Sequence, residues 1–117
     1  CEVLVNETIP GATGKNHKML VAVKNNGMYI SVANNKATGN PVNKKEINRF
    51  YDMVDDIKKG DHGTMLTDAV YGSSVNFRTD ALVELKELSN SRNTDPENKL
   101  DFKTANFENN IYSVTKC

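Results

Sequence analysis

The chain begins with cysteine and ends with cysteine, and its 117 residues hold no other thiol between them. Such a pair either closes a ring around the whole domain or stands reduced at its two extremes, and a cytosolic chain gains nothing from thiols placed there. The expectation is a Cys1–Cys117 disulfide. Disulfides persist in oxidising compartments, so the expected location is secreted or extracytoplasmic: extracellular, cell surface or periplasm. No leader segment is visible, which fits a mature, processed or trimmed chain. Two other readings stay open, Cys1 as the lipid-modified first residue of a bacterial lipoprotein and one cysteine as an artificial terminus.

A bridge of this kind encloses nearly every residue. In the chain-entropy picture it restricts the unfolded ensemble by about 4–5 kcal/mol. It also requires the two Cα atoms to come within about 7 Å. The simplest way to meet that demand is to place the first and last strands side by side, so these are expected as near neighbours.

A chain of this size makes one domain, residues 1–117, with a single core. Fifteen basic residues balance fifteen acidic ones, leaving no global field to steer the chain onto nucleic acid or an anionic membrane. No apolar run is long enough to span a bilayer. Nucleic acid is therefore not expected as a partner, and another protein is. Asparagine makes up roughly one residue in seven, scattered through turns and best explained by codon bias.

Glu2 to Asn6 is a short apolar run suited to a strand, and Pro10, Gly11 and Gly14 punctuate a loop over Thr8–Asn16. Lys18 to Val32 reads as a hairpin, because Asn25-Asn26-Gly27 tolerates the positive φ of a tight turn. Another loop covers Asn34 to Pro41. From Asn43 a capping-box-like start with Glu46 opens a helix whose apolar face is Ile47, Phe50, Tyr51, Val54 and Ile57, closed by Lys58, Lys59 and Gly60. Thr64 to Tyr71 fits a short helix or a strand. A second helix begins near Thr79 or Asp80 with Leu82, Val83, Leu85 and Leu88 on one face. After a polar loop at Ser89–Asn98, Leu100 and Phe102, then Ile111, Tyr112 and Val114, predict a closing hairpin turned at Asn106–Asn110.

The expected fold class is α+β: an antiparallel sheet of about five strands, made of the N-terminal strand, the central hairpin and the C-terminal hairpin, with two or three helices packed on one face. In outline this resembles profilin-like or PAS-like sensor folds, which would imply a small-molecule pocket. The single bridge joining the ends resembles that of some small secreted effectors of plant-pathogenic fungi, certain of which have ribonuclease-like scaffolds.

Few residues group into chemistry. His17 and His62, with Arg78 as electrostatic partner, supply the types a metal-free ribonuclease needs: a base, an acid and a cation for the phosphorane charge. Both histidines fall in expected loops, where imidazole is ordinarily just solvated. Asp52, Asp55, Asp56, Asp61 and His62 lack calcium-loop spacing and read as a wet helix face, so no metal is expected. Gly60–Gly63 with Thr64 matches no phosphate-loop spacing, Ser73-Ser74 has no positioned base, and no cofactor is expected. Asn6-Glu7-Thr8 matches the N-glycosylation acceptor pattern. The favoured reading is a secreted, disulfide-closed, non-enzymatic interaction module, such as a host-directed effector, an inhibitor or an adhesion-type binding domain. The alternatives are a small secreted ribonuclease-like hydrolase using His17 and His62, or a PAS/profilin-like small-molecule sensor.

Overall fold

The computed structural model describes residues 1–35, 40–73, 76–92 and 99–106. Seven elements follow in the order β1 (Glu2–Pro10), β2 (Asn16–Asn25), β3 (Met28–Asn35), α1 (Lys44–Lys58), β4 (Asp68–Ser73), α2 (Thr79–Arg92) and β5 (Asp101–Asn106). The fold is α+β, with the strands forming one sheet in the order β1-β2-β3-β4-β5.

The expected central hairpin is there. Asn26 and Gly27 take φ of 53° and 80°, the paired left-handed residues that a two-residue turn between twisted strands requires. β1 runs on through Pro10, past the loop expected from Thr8, and pairs antiparallel with β2 from Glu2↔Lys24 to Pro10↔Asn16. Proline is tolerated at that end of an edge strand because its missing N–H interrupts no ladder.

The sheet is mixed, which corrects the antiparallel expectation. β3 pairs parallel with β4, and β4 parallel with β5. The ambiguous stretch after α1 supplies β4, so each of these pairs is joined by a helix. A helical crossover carries the chain back to the end where it started, and the next strand then runs parallel. The two crossovers advance across the sheet in the same direction, and one handedness therefore puts both helices on the same face, where they contact each other. That agrees with the expected placement of helices. The other half of the expected C-terminal hairpin, Ile111 to Val114, lies outside the described residues, as does Cys117. β1 and β5 occupy opposite edges of the sheet, and the closing strand expected beside β1 falls outside the described residues.

α1 begins as its sequence demands: the Asn43 side chain accepts the Glu46 N–H at 3.0 Å. Ile47, Phe50, Val54 and Ile57 are buried from this helix against Val32, Ala69 and Phe102 of the sheet, with Ala81 and Leu85 of α2 in the same core. Val32, Ala69 and Phe102 stand level across β3, β4 and β5 and so share the helix face. Ring contacts of Phe50 with Tyr71 at 5.0 Å and of Tyr51 with Phe102 at 5.1 Å tie α1 to the two parallel strands. Burial raises the Tyr71 hydroxyl above its ordinary pKa, with the nearby Glu46 carboxylate adding to it.

β1 changes the face it presents. Leu4 and Ala22 pair and contribute to the core, yet so do Ile9 and Met19, which stand at the opposite parity. Asn6, with φ of 51°, lies between them and turns the strand over.

Candidate functional site

The β1–β2 turn and the last turns of α1 enclose a cleft of about 440 Å³. Gly11 to Lys15 form the turn, and Asp56 reaches it from the helix. The turn is pinned on both sides: the Asp56 carbonyl accepts the Ala12 N–H at 3.0 Å, while Asp56 Oδ1 accepts the Thr13 N–H at 3.0 Å. Thr13 Oγ1 donates to Asp56 Oδ2 at 2.8 Å, and His17 Nε2 lies 2.7 Å from the same oxygen. A side chain at Gly11 would collide with that carboxylate, so glycine is what lets the turn approach.

The His17 hydrogen bond, followed by those of Thr13, holds the Asp56 carboxyl below the usual carboxylate range against some desolvation that acts the other way. With Asp56 ionised, Nε2–H donates to it, and Nδ1 is the ring nitrogen left to accept a proton. Lys15, Arg49, Asp52 and Lys59 also line the cleft, and Lys59 is paired with Asp55 at 2.8 Å. The result is an imidazole of fixed orientation beside several cations.

The other residues singled out by sequence lie elsewhere. His62 belongs to the turn after α1, where its carbonyl accepts the Tyr29 N–H at 2.9 Å, and it does not line the His17 cleft. Arg78 lines a separate crevice with Asn43, Lys44, Lys45, Asn48 and Asp80, between the starts of the two helices, and its guanidinium stands 3.5 Å from Asp80. Asn6 is exposed on β1. Of the acidic group, Asp56 is committed to His17 and Thr13, and Asp55 to Lys59. Among the described residues no group of three or more His, Cys, Asp or Glu is placed to hold a metal ion. None of the described helices is long and apolar enough to cross a membrane.

Sequence reasoning missed the His17–Asp56 pair because 39 residues separate its members. It also missed the surface of β1. As an edge strand, β1 has an outer edge that no other described strand pairs with, and Val3 and Val5 stand 51% and 70% exposed on the face away from the helices.

No family model matches this chain, and no curated protein does. Among solved structures it is similar to the crystal structure of AF1548, a protein of unknown function, with a TM-score of 0.61 and 16% identity over 88% of this chain. The chain spans about half of that protein, 47% of its length. The likeness is one of fold.

Proposed function

We propose that this protein is an extracytoplasmic, disulfide-closed binding module that takes up an extended segment of a partner protein along β1. The observation that carries this reading is the pair Val3 and Val5, exposed at alternate positions of a nine-residue edge strand. An edge strand offers a row of backbone donors and acceptors, and alternate apolar side chains add affinity and register to a strand laid beside it. Natural edge strands are commonly protected by lysine or an interior proline, and β1 carries neither before its last residue. Its only charges are Glu2 and Glu7, so the fitting partner alternates apolar residues with lysine or arginine.

Selection from a displayed peptide library against the oxidised full chain tests this. Enriched peptides are expected to carry that alternation, and Val5→Asp, at a position too exposed to disturb folding, should weaken their binding about tenfold or more. Peptides that bind Val5→Asp as well as the parent would overturn the reading.

A second reading has its own observation, the oriented His17 beside Lys15, Arg49 and Lys59. There His17 would act as general base on a phosphodiester and the cations would hold the developing charge. Cleavage of an RNA oligonucleotide that is lost in His17→Ala and kept in His62→Ala would support it. Equal activity in both variants would eliminate it.

A further inference from the structure

The β2–β3 hairpin fixes which backbone groups of β1 face outward. Asn25 and Met28 flank the two-residue turn, so they exchange both of their hydrogen bonds. Lys24↔Tyr29 is then a non-hydrogen-bonded pair, and the Tyr29 N–H does turn away from β2, to the His62 carbonyl at 2.9 Å. Past the irregularity at Val23/Lys24 the alternation on β2 persists. The Ile30 carbonyl accepts the Thr67 N–H at 3.1 Å on the side away from β2, so Ser31 and Ala33 turn towards Val23 and Val21. Lys24 and Ala22 therefore aim their N–H and C=O groups at β1, where Glu2 and Leu4 aim back. Val3 and Val5 are left with their backbone groups on the outer edge, along which no described strand pairs. They are the same two residues whose side chains stand exposed.

We propose, resting on the peptide-binding reading of β1 above, that the edge accepts one antiparallel segment in one register, hydrogen-bonded to the main chain of Val3 and Val5. From its N-terminus the segment reads apolar, any residue, apolar, cation. The two apolar residues stand opposite Val5 and then Val3 and extend the face of those valines. The residue between them lies opposite Leu4. The cation lies opposite Glu2, where it meets a carboxylate across a close, non-hydrogen-bonded pair. Antiparallel pairing is the more stable per residue, which sets the direction. The ladder ends at Asn6, whose φ of 51° breaks the extended run, so Glu2–Val5 sets the length of the segment. A second copy does not fit, because its β1 would bring only Glu2 and Glu7 to these carboxylates and no cation.

Amide hydrogen exchange of the free full chain, read by NMR, tests the register without any ligand. Val3 and Val5 are expected to exchange about tenfold or more faster than Leu4. Equal rates, or the reverse order, would overturn the proposal. The peptide Thr-Val-Thr-Val-Lys-Thr then tests the ladder. N-methylation of either valine should weaken its binding about tenfold, for one lost hydrogen bond, and N-methylation of the threonine between them should not. Sensitivity at that threonine instead would overturn the register. If library-selected peptides bind the chain and this one does not, the four-residue pattern falls and the peptide-binding reading stands. If none binds, both fall.

Discussion

Asp56 is the residue on which the β1–β2 turn depends, because both of its carboxylate oxygens and its carbonyl are occupied by that turn. Its pKa is lower in the folded chain than the ordinary value of about 4, so ionised Asp56 favours folding fully above that value. That contribution is lost as the pH falls through the folded pKa. Asp56→Asn keeps the shape and removes the charge. Its melting temperature should therefore fall below that of the parent near neutral pH, with the gap closing below about pH 4. Thermal melts across that range check the sign, and a gap that widened in acid would contradict it. The sequence could not disclose this role. Asp52, Asp55 and Asp56 look alike as charges on one helix, and only the placement of a turn 43 residues earlier in the chain separates Asp56 from its neighbours.

At the scale of elements, what the sequence disclosed was local. Asn43 with Glu46 marked the start of α1, Asn26-Gly27 marked the hairpin, and both signals depend on residues a few positions apart. Strand pairing between β3, β4 and β5 was illegible because adjacency there is decided by what the intervening helices pack against. β4 itself was ambiguous: Asp68–Ser73 has only six residues, too few to show a period of either kind. The turn that leads into it is set by Lys58. Its ammonium donates to the Leu66 carbonyl at 2.6 Å and the Thr64 carbonyl at 3.3 Å, and the residue is buried. The sequence places it as a cation in the last turn of the helix, which it is, and says nothing of these two carbonyls. Because the α1 cap is a single local bond, Asn43→Ala should cost about 1 kcal/mol of stability in chemical denaturation, with no change in the slope of the transition.

At the scale of the molecule, the described structure puts the chain's beginning at one edge of the sheet and its last described strand at the other. A tie between Cys1 and Cys117 would therefore do more than join two neighbouring strands. It would fasten the two edges of the sheet through the segment beyond β5, and it would restrain unfolding that begins at either edge. The proposed bridge should show first as a mass about two daltons below that of the reduced chain. With its loop nearly as long as the chain, about 4–5 kcal/mol of unfolded-state entropy is at stake. Reduction should accordingly lower the melting temperature by several degrees or more, and the double variant Cys1→Ser, Cys117→Ser should melt where the reduced parent does. A parent chain whose mass and melting temperature are both unchanged by reductant would remove the ring, and with it the reason for placing this protein outside the cytosol.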